Sequence, residues 1–149
     1  MTFWMGKFAA ELPADRHYCR NHMWCREVAG TARFGFTTYA VRLMQDVYFL
    51  DWSVEAGVAV SALQPIGHLE TSKAVSDLFA PVTGTIARFN PDLLADPSGI
   101  NADCHEAGWL FEMTGIAGDL LDVAAYHDFL AANWEKTQRH LKGKINLDD

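Results

Sequence analysis

The chain has 149 residues, 50% of them hydrophobic and 21% charged, with a formal net charge of −7. That length suits one domain with a core that needs neither metal nor disulfide, and the acidic balance excludes the clustered Lys and Arg by which proteins displace counterions from nucleic acid. No apolar run approaches the roughly 18 residues that cross a bilayer, and Met1–Lys7 lacks the charged and apolar regions of a signal peptide, so a cytoplasmic protein is expected, away from membranes, with Cys19, Cys25 and Cys104 reduced.

In chain order, residues 1–20 carry Pro13 and the polar cluster Asp15-Arg16-His17 and read as an N-terminal extension wrapping a single domain over residues 21–142. The run Glu27–Phe36 predicts a hairpin turning near Gly30, with Ala32, Phe34 and Phe36 on one face by the two-residue period. Thr37–Leu43 predicts a short helix capped by Thr37 or Thr38. Six further strands are expected over Val47–Leu50, Val58–Leu63, Ile66–Thr71, Ala74–Ala80, Thr83–Phe89 and Trp109–Met113, punctuated by glycine and proline. Many short strands with regular breaks point to a sandwich or closed barrel, with Phe34, Phe36, Phe79, Phe89 and Trp109 in the core. Only the end changes period: Val123, Tyr126, Phe129, Leu130, Asn133 and Trp134 share a helical face, with Asp122 as cap, Gly143 near the stop and 143–149 a loose tail.

The lysine distribution is uneven. Of Lys7, Lys73, Lys136, Lys142 and Lys144, only Lys73 lies between the N-terminal extension and the final helix, while Arg16, Arg20, Arg26, Arg33, Arg42 and Arg88 supply positive charge there. An enzyme that acylates an amine cannot use a guanidinium, so this stretch offers one address. The flanking strands put Lys73 at or beside a turn made polar by Glu70, Thr71, Ser72, Ser76 and Asp77, with Leu69 and Leu78 available to anchor its base. A lysine there keeps its flexible stem in water and carries its amine outward.

The segment Glu70-Thr71-Ser72-Lys73-Ala74-Val75-Ser76-Asp77-Leu78-Phe79-Ala80-Pro81-Val82-Thr83-Gly84 resembles the lipoylation segment of the glycine-cleavage H-protein family. The likeness continues through His22-Met23-Trp24, Gly35-Phe36-Thr37-Thr38-Tyr39-Ala40, Asn90, Asp96-Pro97, Asn101-Ala102-Asp103, Gly108-Trp109 and Ala125-Tyr126-His127-Asp128-Phe129, roughly residues 20 to 133. The resemblance implies a mainly β barrel-sandwich hybrid of two small antiparallel sheets with short helices and a C-terminal helix. It also implies a covalent lipoyl amide on Lys73, a lipoate-attaching enzyme that reads Glu70 and Asp77, and a carrier without a catalytic site of its own.

Two branches fit. One is the glycine-cleavage H protein, which carries an aminomethyl group; the other is the carrier linked to heterodisulfide-reductase-like complexes in bacterial sulfur oxidation. The sequence reading favours the second, because Asp103-Cys104-His105-Glu106-Ala107-Gly108-Trp109 loses a proline and a glycine of the usual pattern, Thr38 stands for an aspartate and Gln45 for a glycine, and the extension Glu11–Tyr18 is unlike a minimal H protein. Biotinyl carriers share the fold, but their lysine lies between methionines. His17, Cys19, His22 and Cys25 include zinc-ligand types in no standard spacing, and no metal is expected. Cys104 could exchange with a disulfide, and His68 could line a groove for the arm. A hydrolase using Ser72 or Ser76 with His68 and Asp77 lacks a Gly-x-Ser-x-Gly elbow. A non-lipoylated interaction module is the remaining alternative.

Overall fold

The computed structural model describes residues 1–141, so Gly143 and the expected tail lie outside the described residues. Eleven strands and four helices follow one another as β1 (Thr2–Met5), β2 (Phe8–Glu11), β3 (His17–Tyr18), β4 (Met23–Val28), β5 (Thr31–Phe36), α1 (Thr38–Met44), β6 (Val47–Trp52), β7 (Ala59–Val60), β8 (Pro65–Thr71), β9 (Val75–Phe79), β10 (Thr83–Phe89), α2 (Pro91–Ala95), α3 (Gly99–Ala102), β11 (Phe111–Ala117) and α4 (Val123–Leu141). A six-stranded antiparallel sheet, β3-β4-β5-β11-β10-β7, faces a three-stranded one, β6-β8-β9. A third sheet, β1-β2, adds to the two expected.

Local chemistry explains most element boundaries. The β4–β5 hairpin turns through Ala29 and Gly30, both at positive φ (52° and 86°), the conformation that a two-residue turn matching strand twist requires. Thr37 caps α1 by accepting from the Ala40 N–H at 3.2 Å. Asp122 caps α4 in the same way through the Ala125 N–H at 2.8 Å.

The strand expected over Val58–Leu63 shrinks to Ala59–Val60, because Leu63 turns out of extended conformation at φ 68°. The last strand is displaced from Trp109–Met113 to Phe111–Ala117, although Trp109 and Leu110 remain buried. Phe79 does not enter the core: it is 40% exposed, because the two-residue alternation of β9 puts it on the outer face with Val75 and Asp77, opposite the buried Leu78 and Ala80. Phe89 is half-buried, stacked on Trp52.

Two apolar clusters hold the fold. One fills the space between the large sheets with Phe34, Ile66, Leu69, Leu78, Ile86, Phe111 and Met113, among others. The second joins the N-terminal hairpin to α1 and α4 through Phe3, Met5, Leu12, Tyr18, Trp24, Tyr39, Tyr126 and Leu130. Phe3 meets Tyr39 and Trp134 edge-on at 5.9 Å each, so the extension packs by its own aromatic contacts. No helix among the described residues is long and apolar enough to cross a membrane.

Candidate functional site

Lys73 is exposed at the tip of the β8–β9 hairpin. Thr71 and Ala74 close the turn around Ser72 and Lys73, with the Thr71 N–H donating to the Ala74 carbonyl at 2.9 Å. The Thr71 side chain is buried, and its Oγ1 accepts from the backbone N–H groups of both Lys73 (3.1 Å) and Ala74 (3.2 Å). One hydroxyl therefore satisfies two turn donors, as short polar side chains do in turns. The Ser72 N–H donates across to the Asp46 carbonyl at 3.2 Å. Below the turn, Leu69 and Leu78 are buried and anchor the hairpin.

Asp46 is itself fixed from a distance. Asn101, at the end of α3, donates to the Gln45 carbonyl at 2.8 Å and accepts from the Val47 N–H at 2.9 Å. Gln45 ends α1 at φ 65°, keeping the left-handed backbone that favours glycine, and its side chain donates to the Arg42 carbonyl at 2.8 Å. The replacement of glycine at this position thus preserves the bend. Farther down the hairpin, Gly67 is required by close approach: a Cβ there would lie 2.5 Å from the Asp51 carbonyl oxygen.

The register defines the outer face of the three-stranded sheet. Phe49, Glu70 and Val75 form one row across β6, β8 and β9, and Asp51, His68 and Asp77 form the next. Tyr48 is the extra residue where the β6–β8 register shifts beside the turn, and it is 64% exposed. Glu70 is half-buried and Asp77 exposed, on the same face and one row apart. Among the described residues, Asp51, Glu70, Asp77 and the Lys73 amine have no ion pair. An exposed primary amine on a fixed turn suits an amide-linked group, which needs a reachable nitrogen and room outside rather than an enclosing pocket.

The other constellations disperse. Ser76 belongs to the row alternating with that of Asp77, and neither Ser72 nor Ser76 hydrogen-bonds His68 among the described residues, so no triad forms. His17 is exposed, whereas the Cys19 and Cys25 thiols are buried, which pushes them up to about 12 and about 11. His22 is held near 4 by burial, with Nδ1 3.0 Å from the Tyr126 hydroxyl. No cluster of three or more metal-ligating side chains occurs among the described residues. Burial likewise raises Cys104 to about 11, leaving very little of the thiolate that disulfide exchange needs.

The unusual stretch 103–109 is pinned by side chains in place of the lost proline and glycine. Trp24 Nε1 donates to the Cys104 carbonyl at 2.9 Å, Arg16 Nη1 donates to the His105 carbonyl at 2.7 Å, and Thr38 Oγ1 lies 3.0 Å from His105 Nε2. Thr38, in place of aspartate, is thus part of the same anchorage. The sequence hinted at the turn but not at its supports: Thr71 was legible only as a polar turn residue, and the roles of Asp46 and Asn101 depend on contacts between distant segments.

The model for the glycine cleavage H-protein matches residues 16–132. The chain belongs to the glycine cleavage H-protein family. It is 40% identical over 116 residues to the glycine cleavage system H protein of Beutenbergia cavernae, covering 77% of this chain and 93% of that one. Its counterpart in Mycobacterium tuberculosis is 39% identical over 122 residues, covering 81% and 88%. The crystal structure of a glycine cleavage system H protein from Mycobacterium marinum superposes with a TM-score of 0.70 at 33% identity, covering 82% of this chain and 98% of that one. The family's members are lipoyl carriers: they hold lipoate covalently and leave catalysis to the enzymes they serve. The sequence-based preference for the sulfur-oxidation branch finds no support in these relatives, which carry the glycine-cleavage name. The departures at Gln45, at Thr38 and in 103–109 are accommodated by local hydrogen bonds.

Proposed function

We propose that this chain carries a lipoyl group in amide linkage to Lys73 Nζ and serves the glycine cleavage system in the cytoplasm, with glycine-cleavage enzymes as its partners. The observation that carries the reading is the exposed Lys73 amine on a turn whose backbone is held by Thr71 and Asp46. Bound there, lipoate supplies a dithiolane that opens reversibly to two thiols. The chain itself presents the amine and fixes the backbone that carries it.

Glu70 and Asp77 are the carboxylates we assign to recognition by the lipoate-attaching enzyme; their places on one face beside the turn support this. In this reading residues 21–142 form the carrier domain, 1–20 an extension against it and 143–149 a tail. Intact mass of natively expressed protein tests the assignment: a lipoyl increment is expected, and it disappears in Lys73→Arg. A wild-type chain that stays unmodified in cells competent for lipoylation refutes it. For the pathway, lipoylated protein should be loaded from glycine by glycine decarboxylase. Failure of loading, together with retention of a heterodisulfide-reductase-like complex in a pull-down, reverses the choice between the two branches.

A further inference from the structure

Between Arg42 and Arg88 the chain has five carboxylates, Asp46, Asp51, Glu55, Glu70 and Asp77, and a single Lys or Arg, which is Lys73. Strands β6, β8 and β9 lie within that interval, so the sheet beside the candidate attachment site has no other lysine or arginine of its own. Its outer face is also apolar in places: Val75 is 65% exposed, Tyr48 64%, and Phe49 and Phe79 40% each. Exposed aromatic side chains interleaved with unpaired carboxylates are the composition of a docking surface, with the aromatics as anchors and the charges as steering groups.

We propose that this face docks the glycine-decarboxylating enzyme that acts on the lipoylated carrier, through an apolar surface rimmed by Lys and Arg, and that the charge on Lys73 gates the docking. The proposal rests on the carrier reading above. Forming the amide from a lipoyl carboxyl activated by the attaching enzyme takes two protons from the Lys73 ammonium and makes an N–C bond as the acyl carbon releases its leaving group, so the positive charge is lost. The face then presents Asp51, Glu70 and Asp77 with no opposing lysine or arginine. Before acylation, an ammonium at the tip of the turn confronts the partner's own cations. Like charges brought together across an interface discriminate against the wrong partner, so the unlipoylated chain is turned away and does not occupy an enzyme it cannot serve. One residue thereby provides both the attachment point and the signal that attachment has occurred.

The test separates charge from cargo, because Lys73→Gln and Lys73→Arg both lack a lipoyl arm and differ in charge at residue 73. Binding of each to purified glycine decarboxylase is measured at about 0.05 M salt and again at about 0.5 M, where the screening length shortens to a few ångströms. Lys73→Gln should bind about fivefold more tightly than Lys73→Arg at low salt, the scale of one exposed charge contact, with the gap closing at high salt. Adding Asp51→Asn or Asp77→Asn to Lys73→Gln should weaken binding again. Equal affinities at low salt, or binding by neither variant, overturns the gate. Intact mass of the wild-type chain reports separately whether Lys73 is lipoylated, so loss of the gate and loss of the carrier reading are distinguishable.

Discussion

The two large sheets handle charge in opposite ways. On the six-stranded sheet, Glu112 is buried between two arginines, accepting from Arg33 Nε at 2.9 Å and from Arg88 Nε at 2.5 Å, and both guanidiniums lie over the Trp109 ring. At one edge, Arg16 and Arg26 bridge Asp15 and Glu106 while resting on Trp24. On the three-stranded sheet the carboxylates are unpaired among the described residues, and Lys73 stands alone at the turn. Where charges are consumed internally they act on stability; where they are left open they are available to a partner. The contrast separates charges that are tied into the fold from charges that face outward unpaired.

Breaking the contrast on the paired side should have the largest effect. Glu112→Ala leaves two guanidiniums facing each other over Trp109 and should cost about 3 kcal/mol, read as a lower urea midpoint. The pH dependence follows from the same carboxylate. Burial alone would raise its pKa, but hydrogen bonds from Arg88 and then Arg33 outweigh that and hold it below the ordinary range. Its stabilisation is therefore full above the ordinary glutamate value and lost as pH falls through the lowered one. A urea series from neutral pH into that acid range should show a decline that Glu112→Gln flattens.

Gly67→Ala forces a Cβ against the Asp51 carbonyl and should cost about 2 kcal/mol. Its signature is faster amide exchange along β6 and β8, beside the turn. Thr71→Val removes the acceptor shared by the Lys73 and Ala74 N–H groups, for a loss of about 1 kcal/mol. Lipoate attachment should slow as well, and Thr71→Ser should restore both; a normal attachment rate in the valine variant would show that the hydroxyl does not position the amine. Asp51→Asn sharpens the comparison from the other side: thermal stability should change by less than about 0.5 kcal/mol. If the melting curve drops clearly, the open face is not free of structural duty.

Much of this was legible in local sequence. The Gly30 turn, the Thr37 and Asp122 caps and the Lys73 hairpin each depend on neighbouring residues, and each appears where the spacing puts it. The third sheet was not legible, because β1 and β2 are four residues each and their apolar residues cover α1 and α4 rather than the main core. Helices α2 and α3, at five and four residues, are too short to show a period. Phe79 is apolar enough to suggest the core, but alternation with the buried Leu78 sends it outward beside Asp77. At the candidate site, the exposed place of Lys73 at a turn follows from its flanking strands, while Asp46 and Asn101 brace that turn through contacts between segments far apart in the chain.

The bond from the Ser72 N–H to the Asp46 carbonyl has a mechanical consequence. It ties the base of the lysine to the start of another strand, so the backbone pivot stays put and the travel comes from rotation about single bonds beyond Cα. Anything attached to that nitrogen sweeps a dome of fixed radius around one point. Each client enzyme must then bring its reaction centre within that dome, and the geometry of its approach becomes part of what it recognises.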